Sequence, residues 1–225
     1  MILRRFVIGI AVCGCAVMFS ARVGGADWPQ WRGAGRTGVT DEPSGYPKGW
    51  PPKKLWHKNV GRGCSSPIVA EGRVYVMGYR GKVSRRKNET GTDVLYCLDA
   101  RTGRELWKQS CPGPYQGRWR TGDTGQYGGP NATPAFDAGT GLLYTLGIDG
   151  DLRCWDTRAR GGSVWAKNLY DEYKVPRRPN AGKGVRDYGF TSSPLLYGEA
   201  VVVEVGEDAG TVMAVSYTHL TLPTN

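Results

Sequence analysis

Histidine is almost missing from this sequence: among 225 residues only His57 and His219 occur. A histidine-based catalytic triad or a histidine metal cluster cannot be assembled from that. Long amphipathic stretches are missing too. Beyond residue 20, no segment keeps apolar residues at i, i+3, i+4 and i+7 for several turns, which excludes a fold built from long helices. After Phe19 no apolar run is long enough to span a bilayer. No Cys-x-x-Cys pair occurs, so the cysteines do not read as a zinc or redox motif. An Asp-rich loop of the kind that surrounds calcium is absent as well. Asp149-Gly150-Asp151 comes nearest, and it reads as a turn between strands.

Turn chemistry is what the chain has in quantity. Its 34 glycines and 14 prolines suit short strands joined by loops. The expected class is all-β. One hairpin shows why. Tyr96 and Leu98 alternate with Cys97 and Asp99, the period of a strand, and an Asp99-x-x-x-Gly103 turn leads back to Glu105-Leu106-Trp107. Asp hydrogen-bonds the backbone ahead of it, and Gly supplies the positive φ. The same hairpin returns in altered form from Leu152 to Trp165.

The first 26 residues read as a secretory signal. Arg4 and Arg5 precede an apolar run from Phe6 to Phe19, and Gly24 and Ala26 supply the small residues before a cut at Asp27. The protein is therefore expected to be exported, to the periplasm or beyond the cell, with no transmembrane segment after cleavage. Removing three arginines lowers the formal charge from +10 to +7. Cys64, Cys97, Cys111 and Cys154 remain and can pair in three ways. Cys97 and Cys154 hold the same place in successive repeats, which reads as small buried strand residues.

Residues 27–53 form a Gly-, Pro- and Trp-rich arm whose tryptophans need a surface to bury against. Three repeats follow within 54–214. Each begins with a Ser/Thr-Pro marker: Ser65-Ser66-Pro67, Ala132-Thr133-Pro134 and Ser192-Ser193-Pro194. A strand, a turn (Glu71-Gly72, Asp137–Gly141, Gly198) and a returning strand come next. Short antiparallel strands in groups of four, repeated along the chain, predict the blades of a β-propeller.

The pattern Leu-Asp-x-x-Thr-Gly-x-x-x-Trp resembles the pyrroloquinoline-quinone (PQQ)-type propeller repeat. Residues 94–107 carry it closely, and 151–165 carry it with an insertion and a lost threonine. The arm Asp27-Trp28-Pro29-Gln30-Trp31-Arg32-Gly33 resembles the start of secreted bacterial members of the quinoprotein-like superfamily. The resemblance implies a partial propeller of about two and a half four-stranded antiparallel blades. It also implies that Lys54–Val60 is a last strand of a repeat, with Trp56 equivalent to Trp107 and Trp165. From Val215 to Asn225 the sequence looks instead like a translated sequencing adapter, so 215–225 is expected to be a scar and the chain a fragment.

Two functions follow from that resemblance. One is a non-catalytic binding or scaffold module. The other is the N-terminal portion of a quinone-dependent dehydrogenase whose catalytic residues lie in missing blades. Only the second calls for PQQ and calcium. Dehydrogenases of this kind hold the quinone with Glu, Asn and Asp residues and an adjacent Cys-Cys pair, which has no counterpart after residue 26. The expectation is therefore no catalytic, cofactor or metal residue in this chain.

Blade geometry puts strand-two to strand-three connections and blade-to-blade connections on one rim. The long stretches 79–93, 110–130 and 168–190 all fall there. They hold twelve basic residues against six acidic ones, together with several tyrosines and Trp119. Arg85, Arg86, Arg118, Trp119, Arg120, Arg177 and Arg178 are the candidate binding residues. A basic, aromatic rim suits an acidic protein surface or an anionic polysaccharide. Nucleic acid is not expected for an exported protein.

Overall fold

The computed structural model describes residues 25–43, 48, 51–81, 90–114, 129–174, 189–205 and 212–216. Three antiparallel sheets follow one another along the chain. The first contains β1 (Ile68–Ala70), β2 (Arg73–Gly81), β3 (Thr90–Asp99) and β4 (Glu105–Pro114), paired in that order. The second contains β5 (Ala135–Asp137), β6 (Leu142–Leu146), β7 (Asp151–Asp156) and β8 (Gly162–Asn168). Helix α1 (Leu169–Tyr173) then precedes a three-stranded sheet of β9 (Leu195–Tyr197), β10 (Ala200–Glu204) and β11 (Val212–Ser216). These are the blades the repeat predicts.

Register makes the repetition literal. In the first blade Ile68, Tyr75, Cys97 and Trp107 form one row across four strands. In the second the row is Ala135, Tyr144, Cys154 and Trp165. Both blades carry a β-bulge immediately after the row cysteine, leaving Leu106 or Val164 as the extra residue before the tryptophan. A bulge bends the strand and re-aims the side chain beside it.

The turns are built as their residues dictate. Asp99 accepts hydrogen bonds from the Arg101 and Thr102 amides and from the Thr102 hydroxyl, and Gly103 closes the turn at φ 70°. Asp137 does the same for the Gly139 amide and the Thr140 hydroxyl, with Gly141 at φ 75°. In the second-blade hairpin the turn is one residue longer. Arg160 and Gly161 both take positive φ to absorb it.

Hydrophobic burial joins the blades. One cluster seals the first blade to the second, with Tyr75, Leu95, Cys97 and Trp107 meeting Phe136, Leu143 and Trp155. Another seals the second to the third, with Tyr144, Leu152 and Cys154 meeting Val201 and Val203. Each large side chain taken wholly out of water contributes about 1.5–3 kcal/mol. The outer face of the first blade, including Val76, Val94, Tyr96 and Leu98, is covered by Trp56 and Val60.

Lys54–Val60, expected as the last strand of a repeat, pairs in no sheet among the described residues, because it packs on the first blade through Trp56 and Val60 side chains rather than through a ladder; Trp56 itself lies where the repeat implies. A Cβ added to Gly103, in the first-blade turn, would meet the Trp56 ring at 2.6 Å. A Cβ added to Gly161, in the second-blade turn, would meet the Trp107 ring at 2.5 Å. Each tryptophan thus lies on the turn glycine of the blade that follows it. Trp56 also donates its indole hydrogen to the Ala100 carbonyl at 3.0 Å.

Several details depart from the sequence expectation. Pairing continues to Gly81–Gly91 and Thr90–Pro114, so strands take up residues assigned above to loops. The connection after β8 opens with α1, capped by Asn168, whose side chain accepts the Tyr170 and Asp171 amides. Strand β11 carries its ladder through Val215 and Ser216, paired with Val201 and Ala200. Backbone pairing needs no particular side chain, so it crosses the expected scar boundary freely. Among the described residues, no helix is long and apolar enough to cross a membrane.

Candidate functional site

Arg85, Arg86, Arg118, Trp119, Arg120, Arg177 and Arg178 all lie outside the described residues. The strands that carry their loops are described. With each blade ordered as a simple meander, the β2–β3, β4–β5 and β8–β9 connections leave from one rim. The turns at 100–103, 137–141 and 156–161 lie on the other. The β6–β7 link is a tight turn, closed from the Gly150 amide to the Gly147 carbonyl at 3.0 Å, so Asp149 and Gly150 are turn structure and Asp151 opens β7.

The same rim holds a cavity that the sequence does not announce. Each blade's first strand starts after its polar-Pro marker, where a proline sits without breaking a ladder. The three markers converge. The Cys64 and Ser65 amides both donate to the Pro130 carbonyl at 2.9 Å, and the Thr133 amide donates to the Ser193 hydroxyl at 2.9 Å. Residues some sixty positions apart therefore line one space of about 660 Å³.

The N-terminal arm forms one side of it. The arm pairs Trp28 with Val69 beside β1, and its Pro29 carbonyl accepts the Phe136 amide of β5 at 2.9 Å. Arg36 then reaches the Leu196 carbonyl of β9 at 2.6 Å. The arm so touches the first strand of all three blades. Of the arm's tryptophans, Trp28 lies on Gly33, where a Cβ would be 2.8 Å from the ring, Trp31 is 56% exposed, and Trp50 lies outside the described residues.

Arg32 and Arg36 line the cavity in unusual backbone geometry. Their φ values are 64° and 56°, the left-handed region that side chains with a Cβ avoid. The loop is pinned by Gly33 amide to Gln30 carbonyl (3.0 Å) and Gly38 amide to Arg32 carbonyl (2.9 Å). Arg32 also donates to the Thr37 carbonyl at 3.1 Å and lies 5.6 Å from the Trp31 ring centre. Arg36 donates to the Gln30 side chain at 3.3 Å.

The chemistry of the lining is one-sided. It contains two guanidiniums, the hydroxyls of Ser66, Thr133, Thr191, Ser192 and Ser193, and the amides of Gln30 and Asn131, with no carboxylate. Neither arginine meets a carboxylate among the described residues. Glu204 touches the lining from outside, accepting the Ser192 hydroxyl hydrogen. A calcium ion takes six to eight oxygens, usually with carboxylates among them. Among the described residues no cluster of His, Cys, Asp and Glu could hold a metal. The described residues therefore do not fit a calcium-held quinone.

Thiols divide between this lining and the core. Cys64 is exposed at the cavity, whereas Cys97, Cys111 and Cys154 are buried and free. Burial pushes the Cys97 and Cys111 thiols up to about 11 and that of Cys154 to about 12.

The cavity residues were missed because their signal is positional. Ser66, Thr133 and Ser193 occupy the same place before each marker proline, which serves equally well as a repeat counter. Only the closing-up of the blades makes that place a lining. Against known proteins, a family model described as outer membrane protein assembly factor BamB matches twice, over residues 52–127 and 92–219. The search of curated proteins found no match.

Proposed function

The chain belongs to the PQQ-repeat β-propeller family of the outer membrane protein assembly factor BamB, and from that premise we propose that it is an exported, non-catalytic binding module. Its working surface is the rim that gathers the cavity and the three long connections. One observation carries this reading. The cavity on that rim presents guanidiniums, hydroxyls and amides without a carboxylate, which is a recognition surface for anions and lacks a general base. Export rests on the signal-like segment 1–26.

The partner is an acidic protein surface or an anionic polysaccharide. Arg80 falls within β2, and the eleven basic residues left in the rim connections favour long-range attraction to either, weakened by salt. Reversing Arg85, Arg86, Arg177 and Arg178 to glutamate tests it. The expected outcome is elution from an immobilised polyuronate column at markedly lower salt, with an unchanged circular dichroism spectrum. Unchanged retention overturns the rim as the binding surface. Stoichiometric uptake of the quinone with calcium, accompanied by dye reduction, overturns the non-catalytic reading.

A further inference from the structure

We infer that the cavity between the arm and the three marker segments is a subsite for a carboxylated sugar, with Arg32 and Arg36 holding the carboxylate. The inference rests on the binding-module reading and names the ligand of that rim.

Four observations lead there. The volume of about 660 Å³ accommodates a ligand of one or two sugar rings. Two guanidiniums in one lining suit a carboxylate, which arginine grips through paired N–H donors. The marker segments, with Ser66, Thr133 and Ser193, offer hydroxyls that donate or accept, as the hydroxyls of a sugar require. Trp31 adds a half-exposed indole, an apolar plane with a polar edge, against which the C–H face of a sugar ring can lie.

Backbone geometry adds to the case, although Glu71, Arg160 and Lys174 take the same φ in turns and a helix cap elsewhere. Left-handed φ costs a residue with a Cβ roughly 1–2 kcal/mol relative to the right-handed region. Glycine would sit at 32 and 36 without that cost, as it does in the same loop at Gly33 and Gly38. Arginine side chains occupy the strained places and both line the cavity. Strain of this kind gathers at ligand-holding sites. An acidic protein is the weaker fit, since a concave polyol-lined space beside an indole plane suits a ring better than a flat surface.

Titration calorimetry of the full chain with digalacturonate, with neutral galactobiose and with triglutamate tests the inference. Digalacturonate is expected to bind, galactobiose at least tenfold more weakly, and triglutamate at least tenfold more weakly as well. Arg32→Gly is expected to lose at least tenfold in digalacturonate affinity while its melting temperature stays level or rises, because the strain is relieved. Arg36→Gly also releases the tether to Leu196, so Arg36→Lys is the companion variant. It keeps the charge, loses the fork, and is expected to bind more weakly than the parent. Digalacturonate is also expected to slow alkylation of Cys64, followed by peptide mapping. Equal binding of triglutamate, unchanged affinity in Arg32→Gly, or no digalacturonate binding overturns the inference. If those fail while charge reversal in the long loops still lowers polyuronate retention, the rim reading stands and the cavity is not its subsite. If both fail, both are wrong.

Discussion

Glycine beneath tryptophan is the smallest unit on which the blades depend. Gly161 has φ 75° and carries the Trp107 ring; Gly72 has φ 72° and has nothing within 4 Å of a would-be Cβ. The two positions separate conformational cost from packing cost. Gly72→Ala is expected to lose about 1 kcal/mol from the left-handed φ alone. Gly161→Ala is expected to lose about 2–4 kcal/mol, since the methyl group must also displace a ring at the blade junction. Urea unfolding midpoints measure the difference, and equal losses would deny the ring contact its role. At this scale the sequence was readable where chemistry is local. Asp99 and Gly103 announce their turn because the side chain bonds its own backbone. Gly161 does not announce Trp107, which comes from another blade.

Strands extend the lesson. The alternation at Tyr96–Asp99 and the Cys97–Cys154 equivalence were legible, because a strand shows its faces in its period. The bulge before Trp107 and Trp165 was not, since an extra residue leaves no mark until two strands are aligned. Nor was the continuation of β2 and β3 through Tyr79–Asp93, a pair of residues that reads as loop yet lies in register. The buried thiols on β3, β4 and β7 give these strands a chemical test. In the native protein at pH 8, iodoacetamide is expected to modify Cys64 and to leave Cys97, Cys111 and Cys154 until unfolding. Rapid native alkylation of Cys97 would contradict the row. The raised thiols also fix a pH dependence. The fold favours the neutral form, so the unfolded chain, with its thiols near 9.0, loses protons first as pH rises. Stability is fully present below pH 9.0 and is expected to fall as the pH climbs toward about 11 and 12, in the range of the three folded-state values. Alkaline unfolding followed by tryptophan fluorescence measures it.

At the scale of the whole chain, stacked repeats create what no single repeat encodes. Blade type follows from one hairpin, and blade order follows from its recurrence. The cavity follows from neither. It needs Ser66, Thr133 and Ser193 brought level by packing, and an arm whose Trp28 and Pro29 pair with β1 and β5. The loop charges were legible as composition, and strand order assigns their connections to the cavity's rim. Strand order thus separates a rim of short turns, where Gly103 and Gly161 lie under Trp56 and Trp107, from the rim at which the hydroxyl-lined cavity opens and the long connections start. Hydroxyl-radical footprinting of the full chain with and without oligogalacturonate tests that division most directly. Protection is expected at Trp31, at Cys64–Ser66, at the marker segments before Pro134 and Pro194, and in the long connections, while Leu106, Val164 and the turns around them stay unchanged. Protection centred on the turns at 100–103, 137–141 and 156–161, or no protection at the cavity, would contradict it.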